Sequence, residues 1–84
     1  MQNVSTFVGL DVHKNTITIA LLRPGQISPL EWSIVNETAA ICRMIRRLGR
    51  EAEGALRCCY EAGPTGYVLQ RQLTRGGIDC RVIA

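Results

Sequence analysis

A chain of 84 residues, 46% hydrophobic and 20% charged, is long enough for one small domain and too apolar to stay disordered. Its uncharged apolar runs are strand-length, which argues against a transmembrane helix. Residues 1–6 lack the basic-then-apolar order of a signal peptide, so a cytoplasmic protein with no membrane partner is expected. Net charge is +3, and nine of the ten cations are arginine, whose planar fork matches phosphate oxygens and leans towards a nucleic-acid or phosphate partner.

Residues 6–12 (TFVGLDV) read as a first strand and 15–22 (NTITIALL) as a second, with His13, Lys14 and Asn15 as the tight connection. Pro24-Gly25 marks a turn, and 30–35 (LEWSIV) alternates as a third strand, so the three form an antiparallel meander. Phe7 and Trp32 are expected in the core. Asn36 is a good N-cap for a helix from Glu37 to about Gly49, with Ile41, Met44, Ile45 and Leu48 as its apolar stripe. Arg43, Arg46, Arg47 and Arg50 recur at i, i+3, i+4 and i+7 on the opposite face, and Gly49 and Gly54 flank the exit. Residues 55–61 (ALRCCYE) make a fourth strand. Gly63-Pro64-Thr65-Gly66 turns into a second helix with Pro64 near its start, Leu69 and Leu73 inward, and Arg71 and Arg75 outward. Gly76-Gly77 ends that helix, and 78–83 is a fifth strand.

The order βββαβαβ defines an α/β chain. Right-handed strand–helix–strand connections favour parallel pairing, and placing the fourth strand beside the first gives a mixed sheet in the order 3-2-1-4-5. The four cysteines, Cys42, Cys58, Cys59 and Cys80, form no C-x-x-C pair and have no histidine at zinc-finger spacing, so buried reduced thiols are expected. Successive Cys58 and Cys59 should point to opposite sheet faces. An end at Ala84, on a strand with no covering helix, reads as the N-terminal piece of a longer protein.

On this topology Asp11 closes the first strand and Glu61 the fourth, at the same sheet edge, where open α/β sheets bind ligands. Two carboxylates there can share a hard divalent cation, Mg²⁺ or Mn²⁺, which offsets their repulsion and supports phosphodiester cleavage. The competing structural reading pairs Asp11 with Lys14 and uses Glu61 to cap the helix that begins near Pro64. His13 could add a ligand beside Asp11.

The stretch Val8-Gly9-Leu10-Asp11-Val12-His13-Lys14 with its alternating strand, then Tyr60-Glu61-Ala62-Gly63-Pro64-Thr65-Gly66-Tyr67, resembles the N-terminal domain of insertion-sequence 110 family transposases of the Piv/MooV type. The closing Gly77-Ile78-Asp79-Cys80-Arg81-Val82-Ile83-Ala84 is similar to the segment those proteins carry next. The resemblance covers essentially all of residues 1–84. It implies a RuvC-like, ribonuclease H-like fold and a DEDD acidic tetrad, with Asp11 first and Glu61 second. The other two aspartates and a serine-bearing C-terminal domain would follow residue 84. It further implies metal-dependent DNA strand cleavage and transfer, with an element-encoded structured RNA as partner in some members. Asp79 is no substitute for a missing acid, because it begins its strand away from the other two.

Several features keep other readings open. Lys14 suits contact with a nucleic-acid backbone, and the stripe Arg43, Arg46, Arg47 and Arg50 could grip phosphates; both could also be solvated surface, with Glu37, Glu51 and Glu53 near the helix and no interleaved aromatics for base stacking. Gly63-Pro64-Thr65-Gly66 lacks the Gly-Lys-Ser/Thr ending of a P-loop, so its glycines are read as letting backbone pass close to the carboxylates. An actin-like ATPase or sugar kinase also opens with βββαβα, but Val12-His13-Lys14 stand where such folds place glycine and hydroxyl residues. A noncatalytic nucleic-acid-binding module is the third possibility. An uncovered sheet face is expected to make the chain self-associate, so a homo-oligomer is anticipated.

Overall fold

The computed structural model describes residues 4–61, 63 and 67–83. In chain order they form β1 (Ser5–Val12), β2 (Thr16–Leu22), β3 (Leu30–Val35), α1 (Thr38–Glu51), β4 (Ala55–Glu61), α2 (Val68–Arg75) and β5 (Asp79–Ile83). The strands make one sheet in the order β3-β2-β1-β4-β5, as the connections predict. β1 pairs antiparallel with β2 and parallel with β4, while β2–β3 is antiparallel and β4–β5 parallel. Among the described residues no helix is long and apolar enough to cross a membrane.

Period-two alternation gives the sheet two unlike faces. Val8, Leu10, Ile17, Ile19, Leu21, Cys58, Tyr60 and Cys80 point to one face and are buried. There they join Ile41, Met44 and Leu48 of α1 and Leu69 and Leu73 of α2 in a single core. Outward-facing residues of β1, β4 and β5, from Phe7 through Arg57 to Ile83, lie on the other face, which no described helix covers.

Phe7 is therefore not core: it is 57% exposed on the open face. Val8 and Leu10 take the inward positions, and alternation forces Phe7 out. Trp32 is half-buried, packed against the core rather than in it, with the Arg47 guanidinium 4.0 Å from its ring centroid. Two of the four free thiols, Cys58 and Cys80, are buried as expected, but Cys42 and Cys59 are exposed. Cys59 follows Cys58 onto the opposite face for the same reason that Phe7 does.

The caps also differ from expectation. α1 begins at Thr38, with Glu37 at the N-cap and no side-chain capping bond. Asn36 instead donates its side-chain amide to the His13 carbonyl (2.9 Å), and its backbone N–H to that of Asn15 (2.9 Å). It ties the β1–β2 hairpin tip to the start of α1, a partnership that only the folded meander offers. Gly49 lies inside α1, which runs on to Glu51 before Ala52 caps it through the Leu48 carbonyl (3.0 Å). Arg23 closes this end by bonding both the Glu51 carbonyl and the Glu51 carboxylate. Buried Thr6 then clasps Glu53, donating to its carbonyl (2.7 Å) and accepting from its N–H (2.8 Å), which fixes the approach to β4.

α2 begins at Val68 rather than near Pro64; Pro64 and the rest of the predicted turn, residues 64–66, lie outside the described residues, as does Ala84. Its C-terminus is a Schellman motif: Ile78 N–H bonds the Leu73 carbonyl, Gly77 N–H bonds that of Thr74, and Gly77 has φ +83°. Ile78 and Leu73 are both buried in the core, the apolar contact that accompanies this cap.

Gly54 (φ +71°) and Gly77 both occupy the left-handed region, but their surroundings differ. A Cβ at Gly77 would meet nothing within 4 Å, so Gly77→Ala should cost only the conformational penalty, about 1–2 kcal/mol. A Cβ at Gly54 would collide with the Val4 carbonyl oxygen, which accepts the Ala55 N–H (3.0 Å). Gly54→Ala is thus expected to be the more destabilising of the two in urea unfolding; equal losses would contradict the described packing at Val4.

Candidate functional site

The open face is organised in rows across the sheet. Glu31, Ala20, Gly9, Cys59 and Arg81 are register partners strand by strand and form the middle row. Gly9 and Ala20 are small, so the sheet is hollowed at its centre. The next row towards the C-terminal end of β1 holds Ser33, Thr18 and Asp11, and Glu61 with Ile83. The parallel pairing Gly9–Cys59 and Leu10–Tyr60 carries forward by one residue to set Asp11 beside Glu61. Both carboxylates line a concavity of about 590 Å³ with Glu31, Cys59 and Gly63.

Asp11 sits next to the last residue of β1, and its side chain is 72% exposed. Its side-chain partner among the described residues is His13, whose Nε2 lies 3.1 Å from Oδ2, not Lys14. The hairpin fixes this arrangement: His13 N–H bonds the Thr16 carbonyl (2.8 Å), and Asn36 holds the His13 carbonyl. Lys14 is exposed at the tip. Glu61 ends β4, exposed, and does not cap α2, which has no side-chain cap and starts at Val68. Behind the site, buried Tyr60 accepts the Gln70 N–H on its hydroxyl (3.0 Å), fastening β4 to α2.

Glu31 is a carboxylate that sequence reasoning did not single out. The alternation of LEWSIV, with Trp32 and Ile34 packed inward, places it on the open face. Only the strand order shows that it shares a concavity with Asp11. Two strand spacings, roughly 10 Å, separate the β3 and β1 positions. Accordingly, no group of three or more His, Cys, Asp or Glu among the described residues could hold a metal ion. Gly63 lines the concavity, and among the described residues a Cβ there would meet nothing within 4 Å. Asp79 pairs in register with Arg57, towards the other end of the sheet and away from Asp11.

The remaining predicted residues lie elsewhere. Arg43, Arg47 and Arg50 line a second groove, between α1 and β3, of about 400 Å³, while exposed Arg46 does not. The structure brings Asp11 and Glu61 together and keeps the arginines apart from them.

No protein-family model matches the chain. It is 42% identical over 79 residues to the transposase for insertion sequence element IS1533 of Leptospira borgpetersenii. It is also 39% identical over 80 residues to a candidate transposase, y4qE, of Sinorhizobium fredii. Each alignment takes in 93% of this chain, but the chain spans only about a fifth of the length of these curated relatives, 22% and 20%.

Burial pushes the Cys58 and Cys80 thiols above their ordinary range, whereas Cys59 opens onto the concavity. A thiol reagent should therefore modify Cys59 and Cys42 in the native chain and reach Cys58 and Cys80 only on unfolding, as peptide mapping would show. Raised folded values also mean that stability is intact below the unfolded thiol range and falls as pH rises through it. Above roughly pH 8.5 the loss should approach about 1.4 kcal/mol per pH unit from Cys58, the more strongly shifted thiol, with Cys80 acting in the same direction. Denaturant unfolding under reducing conditions at pH 7.5 and 9.5 checks this; equal stability at the two would contradict it.

Proposed function

We propose that this chain is the N-terminal part of a DNA transposase of the insertion-sequence 110 type, with a ribonuclease H-like, RuvC-like fold. The observation that carries the reading is the adjacency of Asp11 and Glu61, both on the open face at the C-terminal ends of neighbouring parallel strands. The mixed order β3-β2-β1-β4-β5 is compatible with that fold, and both relatives, which align with 93% of this chain, bear transposase names. The actin-like or sugar-kinase reading gains nothing from the hairpin, where His13 pairs with Asp11 and no glycine frees the backbone to wrap phosphates.

The donor chemistry fits Mg²⁺ or Mn²⁺. Such ions are held by one or two carboxylates and complete their shell with water and substrate phosphates. When bound, the ion would supply Lewis-acid stabilisation of charge on a phosphodiester. Asp11 and Glu61 would each offer carboxylate oxygens, and His13 would orient Asp11 through Nε2. Lys14, on the clamped hairpin, would meet the DNA backbone beside the carboxylates. Further acids of the tetrad, a serine domain, an RNA partner and assembly into oligomers belong to the same proposal for the longer protein.

In a transposase that carries this segment, Asp11→Asn and Glu61→Gln should each lower Mg²⁺-dependent strand cleavage by about 100-fold or more without altering the melting temperature. Isothermal titration with Mn²⁺ should show a saturable heat that either substitution removes. Cleavage within threefold of the unsubstituted protein would end the assignment.

A further inference from the structure

We propose that the groove between α1 and β3 is a second site, one that seats the phosphate backbone of duplex DNA on Arg43, Arg47 and Arg50. Three observations support it. First, spacing at i, i+4 and i+7 turns the three arginines towards one groove, where they stand with Trp32, Ala40 and Met44. From Arg43 to Arg50 the helix advances about 10.5 Å, enough to meet several phosphates of a duplex that carries a charge every ~1.7 Å.

Second, the charge is uncompensated. Among the described residues, none of these arginines has a carboxylate within 4.0 Å, whereas Arg23 at the end of α1 is paired with Glu51. Glu37 lies at the N-cap and does not line the groove, and Glu31 alternates onto the other face of the sheet.

Third, Trp32 prepares the groove for phosphate rather than for bases. The Arg47 guanidinium lies over the indole at 4.0 Å, which holds one planar fork in place. The same stacking covers the one tryptophan in the chain, so no free aromatic platform remains there for unstacked bases. A duplex, gripped through its backbone, is what this surface fits. The choice of DNA as the duplex rests on the transposase reading; the phosphate site itself does not.

The test is fluorescence anisotropy of a labelled 20-base-pair DNA titrated with the 84-residue chain at several salt concentrations. Three phosphate contacts predict a slope of about −2.7 in log K against log salt. Arg43→Gln and Arg50→Gln should each reduce the slope by about 0.9 and weaken binding about eightfold at 0.1 M salt. Arg46→Gln, on the same helix but outside the groove, should leave the slope unchanged, and DNA should alter Trp32 emission in the unsubstituted chain. Equal losses for Arg46→Gln and Arg43→Gln, or unaltered Trp32 emission at saturation, would overturn the groove. A duplex RNA competing tenfold better would overturn the choice of DNA. Mn²⁺ titration of the same substitutions in a transposase that carries this segment separates the two sites: retained Mn²⁺ binding with no effect of the arginines on DNA binding refutes the groove alone.

Discussion

The central strand β1 must serve two environments at once, and the rest of the structure follows from how it does so. Its backbone bonds β2 on one side and β4 on the other, so every side chain is committed to one of two faces. Val8 and Leu10 go into the core, and nothing then prevents Phe7, Gly9 and Asp11 from facing outward. A one-residue slip would bury Asp11 and Phe7 together and expose Val8 and Leu10. The cost of an unpaired carboxylate in an apolar core makes that register untenable. One parity choice thus builds the core and presents the carboxylate.

Neighbouring elements reinforce the choice. β4 lies parallel to β1 in a register that puts Cys58 and Tyr60 inward beside Val8 and Leu10, and sends Glu61 outward beside Asp11. Thr6 clasps Glu53 at one end of the pair, and Asn36 clamps the hairpin at the other. Asp11 sits on a strand held from both ends, while the arginine groove is carried by a helix docked on the opposite face. The two surfaces share no side chains.

Much of this is legible in the residues. Alternation in TITIALL and LEWSIV, the apolar stripe of α1 and the glycine pair after α2 each express a local geometric rule, and the elements appear where those rules put them. Chain connectivity then constrains the strand order enough to set Asp11 near Glu61. Phe7 is misleading because FVGL is apolar on both parities, so the run reads as buried on both faces. Asn36 is misleading because a good capping residue also has hydrogen-bonding groups to offer elsewhere, and the hairpin tip claims them first. Gly49 is misleading because glycine permits a helix end without requiring one.

What the sequence by itself determined is the set of elements, their order and which residues carry charge, since these depend on local conformation, periodicity and short connections. Tertiary structure alone decided that Glu31 shares a concavity with Asp11, that His13 rather than Lys14 pairs with that aspartate, and that Arg47 covers Trp32. Each of these joins residues through neighbouring strands, a closed turn or a helix laid across a sheet. The physical reason is that a side chain's partner is chosen by competition among all the groups that packing brings within reach, and no local window of sequence contains that competition.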